Sequence, residues 1–337
     1  MKSWLAPLLF ATTLLGQPRN LRLPDEAAGV DPIAQALVSV FDQADIVALG
    51  EEHEWRPDSD VRIALVRHPD FAKKVRSIVV EFGRNSHQST LDRYIRGEDV
   101  PRAELEQVWK TTQVGGGGSP LYPAFFAAVR DVNLKLPADA RVRVFGAEGA
   151  PGSTGETTAV TFLKQQVLQK HAKALVIYGY AHFWRTEPPV MLENDGGVET
   201  GIVRMLEKNY PGRTVAVMPV GNPKRPFPPD KKGFNPDYGK FDRALKTPVR
   251  PVLLSLQRSP FRDFSAEEFL GNDVVVCGGT GGVPKQPKGK IPSGLVRVSG
   301  PCVSVFQGST LTLGQMADAV VYFGAEGDVA PKAKPGR

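Results

Sequence analysis

Short apolar segments alternate with amphipathic segments over the first two thirds of the chain. Helical spacing of apolar positions predicts helices over residues 33–41, 61–66, 71–75, 89–96, 103–110, 122–134, 158–171 and 201–208. Apolar runs of strand length predict five β-strands, over residues 45–50, 77–82, 141–146, 174–179 and 214–220. Strands that alternate with helices are typical of βαβ units. The sequence therefore predicts an α/β fold with a mostly parallel sheet and helices on both faces.

The pattern weakens after Gly221, where a stretch rich in Pro, Gly and Lys predicts a long loop over residues 222–239. Four shorter apolar runs follow, at residues 249–256, 273–277, 295–298 and 319–323. They are either the last strands of the same sheet or a small added lobe. The pattern thus predicts one α/β domain over residues 30–324 with an irregular C-terminal third, followed by a flexible tail over residues 325–337.

The first residues have the order of a secretory signal. Lys2 precedes an apolar run over residues 4–15 that is too short to span a bilayer, and Gly16 follows it. We expect residues 1–16 to be a signal peptide and the mature protein to be periplasmic or secreted. A buried N-terminal helix is the alternative. No later segment of the sequence is apolar enough to span a membrane.

Composition narrows the classes of partner. The net charge of +6 is modest for 337 residues, and the basic residues between 224 and 262 lack the interleaved aromatics of a nucleic-acid surface. A small-molecule or peptide substrate is expected instead.

Cys277 and Cys302 are the two cysteines, and in an exported protein they form one disulfide or remain buried thiols. The glycines at 115–118 predict a lid over a site or a slack connection.

Ionisable residues follow four consecutive predicted strands. Ligands bind at the carboxyl ends of the strands in open parallel sheets, so these side chains are expected to share one pocket. Glu81 is the most informative, because a carboxylate inside an apolar strand is costly unless it has a partner. The candidate catalytic residues are Glu51, His53, Glu81, Glu148 and His182.

Other residues near these strand ends have weaker signals. Arg84, Tyr180 and Trp184 are the candidates for substrate binding, although the two aromatics are equally suited to packing. Glu148 has an alternative role as a cap of the turn at Gly149. Glu52 is expected to face solvent.

Two chemistries fit a cluster of His and Glu side chains. In one, a histidine acts as a general base on water while carboxylates orient it. In the other, His53, Glu81 and His182 hold a divalent metal ion whose bound water is the nucleophile. Both lead to hydrolysis, and the residue types do not choose between them.

The order of these motifs resembles a known superfamily. Residues 50–53 (GEEH), Glu81, and residues 179–182 (GYAH) together resemble the GxxH, strand-Glu, GxxH order of the superfamily that joins erythromycin esterases, ChaN-like haem-binding proteins and Tiki proteases. Residues 91–97 and 318–324 are also similar to it. The short spacing between Glu51 and His53 is closer to the ChaN-like and Tiki branches.

The resemblance implies two classes of function. One is an extracytoplasmic hydrolase of ester or amide bonds, with His53 and His182 as base or metal ligand and Glu51 and Glu81 as their partners. The other is a non-catalytic protein of the ChaN-like type that binds haem or a metal ion. A polar hole between His53, Glu81 and His182 would favour hydrolysis, whereas a wide apolar cleft beside Tyr180 would favour haem.

Overall fold

The computed structural model describes most of the chain. The expected signal segment, the glycines at 115–118 and the tail from residue 326 lie outside the described residues. The described residues are 22–114, 119–149, 154–189, 200–221, 237–270, 275–277, 302–306 and 308–325.

An eight-stranded sheet forms the centre of the fold, and a separate two-stranded sheet accompanies it. The strands in chain order are β1 (Glu26–Ala28), β2 (Ile46–Glu51), β3 (Ser77–Arg84), β4 (Arg143–Glu148), β5 (Ala174–Gly179), β6 (Thr214–Val220), β7 (Val252–Ser255), β8 (Val275–Cys277), β9 (Cys302–Ser304) and β10 (Ala319–Tyr322). The order across the large sheet is β1-β7-β10-β6-β2-β5-β3-β4.

The sheet is mostly parallel, which confirms the predicted fold class. Strands β4, β3, β5, β2, β6 and β10 pair in parallel, whereas β7 is antiparallel to both of its neighbours. All five predicted strands are present, and β5 and β6 have the predicted bounds.

Helices cover both faces of the sheet. Residues of α1 to α6 contribute to one hydrophobic core, and residues of α7 to α11 contribute to the other. The helices are α1 (Val30–Val40), α2 (Arg56–Arg67), α3 (Phe71–Lys74), α4 (Gln88–Arg96), α5 (Arg102–Lys110), α6 (Leu121–Asn133), α7 (Gly155–Phe162), α8 (Ile202–Glu207), α9 (Gly239–Ala244), α10 (Ala266–Leu270) and α11 (Leu313–Met316).

The direction of the chain through the sheet explains the two helical layers. From β2 the chain moves outward to β3 and β4, then returns to β5 and crosses to β6. Parallel connections are almost always right-handed, so the outward and returning crossovers must lie on opposite faces. Alternate residues of β2 point to opposite faces of the sheet. Val47 and Leu49 pack in the core with α1 to α6, and Ile46 and Ala48 pack in the core with α7 to α11.

The C-terminal third divides between the two alternatives predicted for it. The runs at 249–256 and 319–323 supply β7 and β10 of the main sheet. The run at 273–277 supplies β8, which pairs with β9 in the small sheet, and the run at 295–298 lies outside the described residues. Cys277 and Cys302 are backbone partners in that sheet. No helix in the described part of the chain has the length and apolar character needed to cross a membrane.

Candidate functional site

Four neighbouring strands bring the candidate residues to one edge of the sheet. Strands β2, β5, β3 and β4 lie side by side and run in parallel, so their carboxyl ends meet. Glu51 and Glu148 are the last residues of β2 and β4, and Glu81 lies within β3. His182 follows β5 in a 3₁₀ turn, Tyr180–Phe183. This is the position at which open α/β sheets bind ligands.

Glu81 lies between the two candidate histidines. Its Oε1 atom is 3.5 Å from Nε2 of His182, and its Oε2 atom is 4.0 Å from Nε2 of His53. Its Oε2 atom also accepts a 2.7 Å hydrogen bond from the backbone N–H of Gly179. These contacts are the partners that a carboxylate in an apolar strand requires.

His53 is held by a carboxylate on the opposite side of its ring. Its Nδ1 atom is 2.7 Å from Oε1 of Glu51, and this contact directs Nε2 towards Glu81. Glu51 is buried, and the Tyr122 hydroxyl donates to its Oε1 atom at 3.2 Å. Arg62 contacts Oε2 of Glu51 and compensates its charge.

A buried network continues behind Glu51. Asp58 accepts a 2.9 Å hydrogen bond from the N–H of Glu52, and its carboxylate lies 3.9 Å from Arg62. Burial raises the pKa of Asp58 well above its usual range. Burial lowers the pKa of Arg62 to about 10, so the guanidinium remains charged at neutral pH. Glu52 is buried, which corrects the expectation that it faces solvent, because its backbone is bonded into this network.

His182 lies between two carboxylates. Its Nδ1 atom is 2.7 Å from Oε1 of Glu156, and its Nε2 atom faces Glu81. Burial alone would lower the pKa of His182, but the charges and hydrogen bonds of Glu81 and Glu156 outweigh it and raise the pKa to about 10. Burial alone would raise the pKa of Glu81, but His182, His53 and the Gly179 N–H lower it to about 2. At neutral pH the pair is therefore a carboxylate beside an imidazolium.

Sequence analysis missed Glu156 because it placed the start of the helix too late. The helix was predicted to begin at residue 158, whereas α7 begins at Gly155 with Thr154 as its N-cap. Thr154 and Thr157 form a reciprocal capping box, and this pair of hydroxyl residues three apart was the available signal. Residues 163–168, predicted as the same helix, form a π-helical turn.

Arg62 and Tyr122 were also missed. They lie on α2 and α6, which cover the face of the sheet that Glu51 points to. Each occupies a helix whose apolar spacing is ordinary. Only the pairing of these helices with β2 shows that Arg62 and Tyr122 meet Glu51.

Glu148, a candidate catalytic residue, contacts the backbone of Gln113 and the side chain of Arg84. Both of its carboxylate oxygens accept from the N–H of Gln113 at 3.1 Å, and Arg84 lies 3.6 Å away. Burial raises the pKa of Glu148. In the described part of the chain, Glu148 forms no hydrogen bond or ion pair with either histidine. Glu148 and Arg84 thus form an ion pair beside the cluster, which anchors the segment that precedes residue 115.

Tyr180 and Trp184 pack in the interior of the protein. Both side chains are buried in the second core, where Trp184 packs edge-on against Phe306 at a centroid distance of 4.9 Å. Their burial agrees with the packing role that was the alternative, and substrate binding by these two residues stays a prediction. The inward direction of Tyr180 depends on Gly50, because a Cβ atom at that position would lie 2.6 Å from Cβ of Tyr180.

Gly179 has a corresponding role on the other side of the site. A Cβ atom there would lie 2.9 Å from Nε2 of His53 and 3.5 Å from Oε2 of Glu81. The glycine of the second GxxH motif therefore makes room for the histidine of the first. Its backbone φ of −47° is one that any residue adopts, so space alone requires glycine.

The cluster has the donor atoms of a divalent metal site. Glu51, His53 and Glu81 each offer one ligand atom, and these atoms lie within 4.8 Å of one another. An imidazole nitrogen with carboxylate oxygens is a donor set that Zn²⁺ and similar ions accept. Since Glu51 already bonds Nδ1 of His53 and pairs with Arg62, it suits the outer position behind a ligating histidine. His53 and Glu81 are then the residues that would hold the ion.

Comparisons with known proteins support the fold alone. No protein-family model matches the chain, and no curated protein matches it. A crystal structure of a Bacillus cereus protein matches with a TM-score of 0.50 at 14% identity, over 88% of this chain and 92% of that chain. A succinoglycan biosynthesis protein matches with a TM-score of 0.48 at 10% identity, over 86% of this chain and 89% of that chain. The relationship to these solved structures is a distant likeness of fold.

Proposed function

We propose that the protein is a hydrolase of ester or amide bonds in which the histidine and glutamate cluster activates water. One observation carries the proposal. The carboxylate of Glu81 faces Nε2 of both His53 and His182, and each ring is held at Nδ1 by a carboxylate of its own. Histidines oriented by carboxylates in this way can act as general acid and general base.

His53 is the proposed general base. Its Nδ1–H donates to Glu51, so Nε2 can accept a proton from water on the side of Glu81. The 4.0 Å between Nε2 and Oε2 of Glu81 is too long for a direct hydrogen bond and suits a water that contacts both groups. Arg62 pairs with the same carboxylate, so Glu51 orients His53 while its own charge is compensated.

His182 is the proposed general acid. As an imidazolium between Glu81 and Glu156 it can donate from Nε2 to the oxyanion or to the leaving group. The two histidines thus divide the proton transfers, with one accepting from water and the other donating to the product. Glu81 interacts with both and remains ionised while they exchange protons.

A divalent ion would support hydrolysis by a second route, in which His53 is a ligand and not the base. His53 and Glu81 would hold the ion, and a water of lowered pKa bound to it would be the nucleophile. Glu51 would keep its place behind His53 and orient the ring. The similarity of the motif order to a superfamily that includes esterases and metal-dependent proteases supports hydrolysis with or without the ion.

The proposal is tested by turnover of chromogenic substrates. Purified protein is assayed with p-nitrophenyl acetate and with an aminoacyl p-nitroanilide, before and after dialysis against EDTA and after addition of Zn²⁺. Hydrolysis by wild type that is absent from the His53→Gln variant supports the proposal, and its response to EDTA decides whether an ion takes part. Equal rates for wild type and His53→Gln would overturn it.

The donor set of Glu51, His53 and Glu81 also favours a second function, binding of a metal ion without catalysis. Titration calorimetry with Zn²⁺, combined with the chromogenic assays, distinguishes the hydrolase from the binding protein. A binding protein retains the ion tightly and leaves both chromogenic substrates intact. Binding of haem is the other non-catalytic function that the motif order implies. The buried Tyr180, whose ring centroid lies 6.2 Å from that of Trp184, gives no support for it. An absorbance spectrum after addition of haem tests it directly.

A further inference from the structure

A second carboxylate stands behind His182 as Glu51 stands behind His53. We propose that Glu156 is a positioning residue, which fixes the His182 ring so that Nε2 faces Glu81. This inference rests on the proposed function of the site, because it assigns a task to the ring in that reaction. Glu156 was not among the residues that the motif order indicates.

The contacts of Glu156 are specific to one ring nitrogen. Oε1 lies 2.7 Å from Nδ1 of His182, and the same oxygen accepts from the N–H of Gly201 at 3.1 Å. The side chain is 12% exposed, so water competes little for these bonds. The contact fixes the ring about its Cβ–Cγ bond, and Tyr178 packs against the ring at a centroid distance of 5.5 Å.

The start of α7 is itself fixed against the sheet. The hydroxyl of Tyr178, a buried residue of β5, donates to the carbonyl of Gly155 at 3.1 Å. The capping box of Thr154 and Thr157 closes the first turn. The strand that leads to His182 therefore also anchors the backbone beside Glu156. As a result, the carboxylate and the ring cannot drift apart without loss of these bonds.

The carboxylates of Glu51 and Glu156 differ in how their negative charges are compensated. Glu51 is paired with Arg62 as well as with His53. Within the described part of the chain, Glu156 forms an ion pair with His182 alone. The charge of Glu156 is therefore not offset by an arginine as that of Glu51 is. This difference agrees with an accepting role for His53 and a donating role for His182.

The test compares Glu156→Gln with wild type and with a matched control. Glu104→Gln is the control, because Glu104 also lies in the first turn of a helix and has a charged partner, Arg93, but is far from the site in sequence and on α5. The first readout is the ¹⁵N–¹H correlation spectrum of the histidine rings at neutral pH. The chain has five histidines, so the His182 signal is identified by its absence from His182→Gln.

We expect Glu156→Gln to shift the Nδ1 and Nε2 signals of His182 and to leave those of the other histidines in place. With p-nitrophenyl acetate we expect kcat to fall by about 10–100-fold with little change in KM, the usual range for loss of an outer partner of a working histidine. Glu156→Asp keeps the carboxylate and is expected to recover part of the rate. Glu104→Gln should match wild type in both readouts.

Unchanged His182 signals in a folded Glu156→Gln protein would overturn the proposal, whatever the rates. A fall in rate equal to that of Glu104→Gln would also overturn it. A fall in melting temperature of more than about 4 °C would show that Glu156→Gln is also destabilised. In that case Glu156→Asp is compared with wild type instead. Its His182 signals must then lie closer to those of wild type than the His182 signals of Glu156→Gln do. If wild type hydrolyses neither chromogenic substrate, the proposed function fails and the spectra alone decide the role of Glu156.

Discussion

At the scale of single residues, the ion pair of Glu81 and His182 dominates the electrostatics of the site. Burial disfavours the charge on each group, but each group supplies the opposite charge that the other needs. The 3.5 Å separation of Oε1 and Nε2 makes the compensation direct. The stability of the protein should therefore depend on pH through this pair.

The sign follows from the direction of each pKa change. The pKa of Glu81 is depressed from 4.5 to about 2, so its contribution is complete above pH 4.5 and is lost as pH falls towards 2. The pKa of His182 is raised from 6.5 to about 10, so its contribution is complete below pH 6.5 and is lost as pH rises through 10. We expect the free energy of unfolding of wild type to exceed that of His182→Gln most between pH 4.5 and 6.5. Urea denaturation across pH measures this, and a difference that is constant from pH 3 to pH 10 would contradict it.

Gly179 gives a second prediction at this scale. In Gly179→Ala the new Cβ atom would lie 2.9 Å from Nε2 of His53, so the ring must shift from its observed position beside Glu81. We expect hydrolysis to fall by about 10–100-fold, as for other losses of catalytic geometry. The melting temperature should change by less than about 4 °C.

Gly239→Ala is the control for that substitution. Its new Cβ atom would meet only the ends of the Arg243 and Asp237 side chains, which can move aside. Steady-state kinetics and thermal melting are measured for both variants. Normal kinetics of Gly179→Ala would show that His53 does not need its observed position.

Single residues differed in how much the sequence revealed about them. Glu81 could be singled out because a carboxylate within an apolar strand has few explanations. Glu156 could not, since it stands in an ordinary first helical turn, where acidic residues are common. The inward direction of Tyr180 could not be predicted, because it depends on the close approach to Gly50, which sequence spacing does not encode.

At the scale of elements, helix α2 supplies the positive charge that compensates the buried carboxylate of Glu51. The Arg62 side chain is 2% exposed and contacts Glu51, while Asp58 lies one turn earlier on the same helix. Removing one partner of a buried ion pair leaves an uncompensated charge. The packing of α2 on the sheet and the chemistry of His53 thus depend on the same guanidinium.

We therefore expect Arg62→Ala to lower the free energy of unfolding by about 3–5 kcal/mol. Arg67→Ala is the matched control, because Arg67 lies on the same helix with a side chain that is 59% exposed and pairs loosely with Asp131 at 3.9 Å. Its expected loss is about 0–1 kcal/mol. Urea denaturation of both variants provides the measurement. Equal losses would mean that the buried network carries no special share of the stability.

Helix and strand positions were largely predictable, because apolar spacing reports burial directly. The bounds of β5 and β6 agreed with the prediction to the residue. β1 was not predicted, since its three residues are too few to show an alternating pattern. Pairings between distant elements, such as α2 with Glu51, had no sequence signal at all.

At the scale of the whole molecule, both ends of the described chain meet in one sheet. β1 pairs with β7, and β10 lies between β6 and β7. The last strand therefore completes the sheet that the first strands begin. A boundary after β6 would leave an unpaired edge in the middle of the sheet.

This connectivity predicts one cooperative unfolding transition. Differential scanning calorimetry should give a calorimetric enthalpy equal to the van't Hoff enthalpy. A chain that ends at residue 221 should fail to give that transition, because it lacks β7 and β10. Two separate transitions of the full chain, with one retained by the shortened chain, would instead identify two independent units.

The central claim concerns Glu81, and its most direct test is the rate of hydrolysis by Glu81→Gln. Glutamine has nearly the same shape and its oxygen can still accept from the N–H of Gly179, so the fold should be retained. It lacks the charge that pairs with His182 and that, in the proposed reaction, orients the water beside His53. We predict that kcat/KM for the p-nitrophenyl ester falls by about 100-fold or more, the usual contribution of a group in general acid–base catalysis. A folded Glu81→Gln protein with the wild-type kcat/KM would contradict the account.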